Sequence, residues 1–238
     1  MAQYENYAPY IAGVDTVEAV NTLFRKVYQY MALGLVLTAL TAWLTASNTS
    51  MLRMFYGSQV PLIIVAVAEI GLVIYLSAAI SRLQASTALL LFSVYSILNG
   101  ITCSVVLLVY TAQSVYTAFL STAGMFGGMS LYALYTKRDI TSWGSFLQMG
   151  LIGLIVAMLV NMFVGSSSAD MVISVIGIII FMGLTAYDTA KIKALATDAG
   201  NMDDETSGKI AVIGALALYL DFINLFLYLI RIFGKRRD

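Results

Sequence analysis

Apolar residues fill this chain in long unbroken blocks, with polar residues confined to short breaks between them. Seven blocks are long enough to cross about 30 Å of hydrocarbon as helices, which takes about 20 residues. They run Val27–Ala46, Val60–Ile80, Ser86–Tyr110, Val115–Tyr135, Phe146–Val164, Met171–Ile192 and Ile210–Phe233. The blocks are continuous and do not alternate, so the strands of a membrane barrel are a poor alternative. The pattern predicts an all-α integral membrane protein, a bundle of seven transmembrane helices. Residues 1–24 form a short N-terminal segment, and residues 25–238 a single transmembrane domain. The longest predicted connection runs from Lys193 to Lys209 and carries Asp198, Asp203, Asp204 and Glu205. There is no room for a soluble domain.

Composition agrees. The chain has 238 residues, 60% hydrophobic and 11% charged, where a soluble domain carries about 25% charge. Basic and acidic residues cancel, 13 against 13, so no basic surplus points to nucleic acid. A single cysteine, Cys103, excludes an internal disulfide and a cysteine-cluster metal site; in its apolar run it reads as a small buried hydrophobe. The absence of histidine removes the usual pH sensor, Ser-His catalysis and the zinc-protease motif. If this chain senses pH, carboxylates do it. Residues 1–20 are acidic and lack a signal-peptide pattern.

Basic residues near span ends predict the orientation. Arg25, Lys26, Arg82, Lys137, Arg138, Lys191, Lys193 and Lys209 fall on one side if all seven blocks cross, and the opposite loops hold only Arg53. The N-terminus is therefore expected in the cytoplasm. The tail, with Arg231, Lys235, Arg236 and Arg237, opposes the rule. Either the last block crosses against it, or that block is re-entrant, which membranes tolerate where protein buries the backbone. Length and the earlier loops favour a crossing. Gly124 and Gly128 have GxxxG spacing and read as ordinary helix packing inside the bundle. Trp43, Trp143, Tyr110, Tyr116, Tyr135 and Tyr228 read as interfacial belt residues.

The candidate chemistry lies in charges inside the blocks. Asp221 is the eleventh residue of the run that starts at Ala211. At about 1.5 Å per residue it sits ~16 Å deep, near the bilayer midplane. An ionisable group there costs about 3 kcal/mol on insertion scales and is a functional candidate by default. Asp188 lies toward the inner end of the sixth span, Glu69 within the second, and Arg82 just after it. The last two spans run antiparallel, so Asp188 and Asp221 can approach if tilt or register closes their difference in depth. Two adjoining carboxylates cannot both ionise cheaply, and such a pair titrates as a unit. Arg82 could compete with the shared proton, giving a two-state latch. The pair also suits a hard cation. Calcium takes 6–8 oxygens, so two aspartates would make a weak, partly hydrated site. Blander readings stay open. Asp221 could only bond a neighbouring helix, Asp188 could answer Lys191 or Lys193, Glu69 could be a structural acid, and Arg82 an ordinary flanking charge.

The run Ala217-Leu-Tyr-Leu-Asp-Phe-Ile-Asn-Leu-Phe226, followed by Leu229-Ile-Arg-Ile-Phe-Gly234, strongly resembles the signature of the Bax inhibitor-1 family, the transmembrane Bax inhibitor motif proteins. Gly183-Leu-Thr-Ala-Tyr-Asp-Thr-Ala-Lys-Ile-Lys193 resembles the sixth-span motif of its bacterial members, and Gly124-Met-Phe-Gly-Gly-Met-Ser130 and Asn99-Gly-Ile-Thr102 are also similar. The resemblance extends from about Arg25 to the C-terminus. It implies a bundle with the last helix central. It also implies a pH-sensitive calcium leak gated by aspartates on spans six and seven, which match Asp188 and Asp221. A basic residue that exchanges partners with the pair resembles Arg82, once a small length difference in span two is allowed. The short N-terminus resembles that of bacterial members, which lie in the cytoplasmic (inner) membrane. Related members are associated with membrane-protease regulation, and in animals and plants with suppression of cell death.

The leading expectation is a passive, proton-regulated cation conduit, with the lipid bilayer as its environment, calcium as the transported ion and no cofactor. The second is an interaction protein that modulates a membrane-protein partner such as a protease; a cation/proton antiporter also stays open. An enzyme is not expected. Tyr187-Asp188 matches half the pattern of aspartyl intramembrane proteases, but Leu218-Tyr-Leu-Asp221 lacks the Gly-x-Gly-Asp half.

Overall fold

Each apolar block becomes a helix, and the polar breaks supply the caps. The computed structural model describes residues 8–198 and 203–237. The order is α1 (Ala8–Ser47), α2 (Thr49–Tyr56), α3 (Gln59–Ala79), α4 (Ala85–Val109), α5 (Ala112–Tyr135), a 3₁₀ turn (Thr141–Trp143), α6 (Gly144–Val164), α7 (Ser167–Asp198) and α8 (Asp204–Phe233). Asn48 caps α2 by accepting from the Ser50 and Met51 N–H groups, and Thr111 caps α5 from Ser114. Pro61 sits in the first turn of α3, where its missing N–H breaks no helical bond. Gly165, at φ 68°, takes the left-handed conformation that closes α6.

Among the described residues, six helical segments are long and apolar enough to cross a membrane: Glu18–Ser47, Gln59–Ala79, Ala85–Val109, Thr141–Val164, Ser167–Thr197 and Asp204–Phe233. The predicted fourth span, within α5, has the length at 24 residues. Ser121, Thr122 and Ser130, among other polar residues, keep its hydropathy lower.

Three helix bounds differ from the reading of the sequence. α1 begins at Ala8, well before the apolar block. Leu23, Phe24, Val27 and Met31 form a buried stripe there, while Asn21, Thr22, Arg25 and Gln29 stay exposed, so an amphipathic turn extends the helix. α7 runs on to Asp198 because Ile192 and Ala196 continue its buried face. α8 starts at Asp204, so the long Lys193–Lys209 connection is mostly helix. Its acids become the Asp203 cap and the first turn of α8 (Asp204, Glu205), where negative charge suits the helix dipole. The short helix α2 was not foreseen.

Lipid is as apolar as leucine, so burial alone does not sort helices in a membrane; close packing of small residues does. α3 and α6 are apolar on nearly every side, and Ile63, Val67, Ile70, Met149, Ile152 and Phe163 face outward. α8 is the opposite. Gly208, Ala211, Gly214 and Ala215 on its first half are buried, and a Cβ at Gly214 would meet Ile192 at 3.0 Å and Val27 at 3.3 Å. Its second half fills space with aromatic rings. Tyr219 meets Phe92 and Tyr95 of α4 edge-on, and Phe222 meets Phe119 and Phe126 of α5. Tyr228 lies against Phe181 of α7, buried, with its hydroxyl on the Met158 sulfur at 3.2 Å. Tyr228 is therefore a packing residue and not an interfacial one. Gly124, Gly127 and Gly128 also differ from expectation: a Cβ at any of them would meet nothing within 4 Å. They do not form a packing seam.

The two ends are distinct. Lys26 pairs with Asp204 at 3.5 Å, and Lys209 reaches the Ser81 carbonyl. Lys193 donates to the Leu134 carbonyl at the close of α5. This basic end is termed inner. The tail lies at the other end, with Arg237 N–H on the Val109 carbonyl and Lys235 N–H on Ser114 Oγ. α8 is one continuous helix of 30 residues between them, without the internal break that a re-entrant segment would need.

Two predictions follow from this packing. A Cβ at Gly100 would meet the α1 backbone, with the Thr38 carbonyl at 2.7 Å. Gly100→Ala should therefore cost about 1–3 kcal/mol and lower the unfolding temperature in detergent, whereas Gly124→Ala should not. At the inner end, the Thr206 hydroxyl and N–H hold the Asp203 carboxyl below the usual aspartate value. Its capping contribution is complete above the ordinary aspartate range and is lost as pH falls through the folded-state value. Asp203→Asn caps without titrating. The stability gap between wild type and this variant should shrink on acidification, read by thermal unfolding.

Candidate functional site

The register of α7 against α8 decides what Asp188 and Asp221 can do. A Cβ at Gly177 would touch the Tyr228 ring, and one at Gly214 would touch Ile192. These contacts set Asp188 level with Ala217–Leu218, about one helical turn, ~5 Å, inward of Asp221. Of the depth difference counted from sequence, about one helical turn remains; the register of α7 against α8 narrows it, since both helices extend past their predicted inner ends by the same length. Asp221 is 4% exposed. Its Oδ2 is buried and has no hydrogen-bond partner among the described residues.

Asp188 opens onto a different environment. It lines an inner cavity of about 300 Å³ together with Ser81, Lys191, Thr206, Lys209 and Ala217. That cavity holds its shape through a clamp across the α3–α4 turn. Glu205 Oε1 accepts the Ala85 N–H at 2.8 Å, and Lys209 sits 3.6 Å from Glu205 while reaching Ser81. The arrangement is a vestibule with room for several waters, with one carboxyl in its wall and a second carboxyl about one turn beyond it.

Arg82 is not part of this pair. It is exposed on the turn after α3 and makes no ion pair with either aspartate among the described residues. The clamp fixes Ser81 toward α8 and leaves the next residue facing out. Neither Lys191 nor Lys193 forms an ion pair with Asp188 among the described residues; Lys193 is taken by Leu134. Glu69 is elsewhere too. It lies half-buried between α3 and α4, where its Oε1 accepts from Thr102 Oγ1 at 3.1 Å. Among the described residues no group of three or more acids, cysteines or histidines gathers as a metal centre.

Sequence reasoning missed a polar knot two residues from Asp221. The buried Tyr219 hydroxyl donates to Asn99 Oδ1 at 3.0 Å and lies 2.6 Å from Thr38 Oγ1. Thr38 in turn faces the Gly34 and Ser96 carbonyls, each at 2.9 Å. Three helices meet on one hydroxyl. The signal available was Asn99, a full amide inside an apolar run.

These features define a polytopic α-helical membrane protein with an acid pair at the head of an inner vestibule. The family profile described as "Inhibitor of apoptosis-promoting Bax1" matches residues 20–238. Inner membrane protein YbhL of Escherichia coli K12 is 46% identical over 217 residues, 91% of this chain and 93% of that protein. RP147 of Rickettsia prowazekii is 46% identical over 221 residues, covering 93% and 92%. A membrane protein of Streptococcus pyogenes serotype M1 is 37% identical over 226 residues, covering 90% and 93%. The chain belongs to the Bax inhibitor-1 family and is an integral protein of a bacterial inner membrane.

The knot generates a prediction. Tyr219→Phe strips one hydroxyl from two buried partners and should cost about 1–3 kcal/mol. Thr38→Val should cost less, and the double variant should fall short of additivity. Thermal unfolding of the four proteins measures this.

Proposed function

We propose that this protein is a seven-span bundle with α8 at its centre, the N-terminus in the cytoplasm, acting as a proton-regulated passive leak for cations, calcium foremost. The single observation that carries the reading is the Asp221 carboxyl. It is buried one turn from Asp188, with an orphaned oxygen, at the head of a cavity open toward the inner end. A lone charge there is costly, and a proton shared between the two carboxyls lowers that cost. In the shared state the apolar packing of α7 on α8 closes the path. When the proton leaves, two like charges repel across the same interface and the path loosens.

Two carboxylates supply only part of a calcium shell, so the ion is passed on, with water and backbone carbonyls completing its coordination. Lys191 and Lys209 line the vestibule itself; Arg82, on the inner turn beside the vestibule residue Ser81, is the basic group proposed to exchange with the proton. Glu69 is read as a structural acid of the α3–α4 contact. The reading is of a conduit and not an enzyme, and it needs no cofactor.

Calcium entry into liposomes containing the purified protein tests this. Flux should rise from acid to alkaline pH, by about tenfold per pH unit on the acid limb for a one-proton gate. Asp188→Asn and Asp221→Asn should each flatten that profile, and Arg82→Gln should move its midpoint without abolishing flux. A profile unchanged in both asparagine variants would remove the gate. Protein silent in every lipid, but isolated with one membrane-protein partner, would favour the modulator reading.

A further inference from the structure

The outer end holds a groove that the acid pair does not use. Its mouth, about 530 Å³, is lined by Trp43, Tyr110, Tyr116 and Arg237. A narrower part of about 150 Å³ continues inward to Thr38 and Phe222. Leu107, Val115 and Phe119 line both, so the two form one channel between α1 and α5. From Trp43 to Leu35 on α1 its depth is eight residues, ~12 Å at 1.5 Å per residue. One leaflet of hydrocarbon is about 15 Å thick, so the groove takes in most of the length of an acyl chain, and its walls are mainly apolar.

The tail is built onto the mouth. The Thr111 N–H donates to the Lys235 carbonyl at 3.0 Å, Lys235 N–H to Ser114 Oγ at 2.8 Å, and Arg237 N–H to the Val109 carbonyl at 2.8 Å. These bonds pin a terminus that would otherwise fray and set Arg237 in the wall of the groove. Arg53, Arg231, Lys235 and Arg236 lie toward this end, as does the acid Asp170 in the first turn of α7. Basic clusters at an outer face go against the usual distribution. Here one has an apolar slot beneath it and aromatic residues around it.

We propose that this groove binds one anionic phospholipid of the outer leaflet, an acyl chain lying between α1 and α5 and the phosphate against Arg237. The charge selects the headgroup and the slot selects a chain. Neither depends on the gate.

Native mass spectrometry of delipidated protein, titrated with phosphatidylglycerol or phosphatidylcholine, tests this. Wild type should retain phosphatidylglycerol in preference. Arg237→Ala should weaken that lipid by about fivefold, the weight of one basic residue near a charged surface, and leave phosphatidylcholine unchanged. The Arg237 side chain is exposed and its backbone bond survives, so folding is retained. Ala39→Trp, which fills the lower slot from a lipid-facing position, should weaken both lipids. Equal retention of the two lipids, retention of neither, or phosphatidylglycerol binding indifferent to Arg237→Ala would overturn the proposal. So would competition by inorganic phosphate, which would assign the arginine to a free anion.

Discussion

A buried carboxyl group on the helix that four others pack against, with one oxygen left without a partner among the described residues, is the constraint on which the rest of this structure turns. α1, α4, α5 and α7 all pack on α8, and Asp221 lies on the stretch where aromatic packing is densest. A residue of that kind destabilises a helix in lipid. It persists because the surrounding helices over-determine α8. Small residues at Gly208 and Gly214 let neighbours close in, and the Tyr219 hydroxyl ties α8 to α1 and α4 beside it. The glycines, the rings and the knot hold in place a group that lipid would reject.

The same constraint separates the two ends of the molecule by task. The inner end is cross-linked by charge: Lys26 with Asp204, Lys209 with Glu205, and Glu205 on the first N–H of α4. These contacts are mostly exposed and individually weak, but they converge on the α3–α4 turn and the first turn of α8, which frame the Asp188 cavity. The outer end is joined by backbone hydrogen bonds from the tail to the start of α5, and its basic side chains are left facing outward. α8 is thus anchored at both ends around a buried carboxyl near its middle, with one oxygen unpartnered among the described residues.

Much of this was legible in the sequence. Continuous, non-alternating apolar blocks give helices in lipid because each helix satisfies its own backbone there, and each of the seven blocks lies within a helix but for the last residue of two, Ile80 and Tyr110. Asp188 and Asp221 were visible as ionisable residues where few occur. The ends of helices were not legible from hydropathy: Leu23, Phe24 and Ala196 lie on polar stretches, and only their stripe, seen against the bundle, extends α1 and α7. Nor was the role of small residues. Gly124 and Gly128 carry a familiar spacing and face open space, while Gly100 and Gly177 carry none and sit at contact. Spacing records which residues share a face, not what that face meets. The outward orientation of Arg82 was not legible for a similar reason, since a charge near a span end says nothing of which way the turn points it. The Tyr219 knot depends on α1 and α4, far apart in sequence, and no local pattern carries it.

The central claim is that Asp188 and Asp221 share one titration. Infrared spectroscopy of the carboxyl stretch, followed with pH on protein carrying isotopically labelled aspartate, addresses it directly. The account requires the Asp188 signal to titrate differently once Asp221 is replaced by asparagine, and the Asp221 signal to respond in the same way to loss of Asp188. Two signals that each keep their own titration curve when the other carboxyl is removed would contradict it.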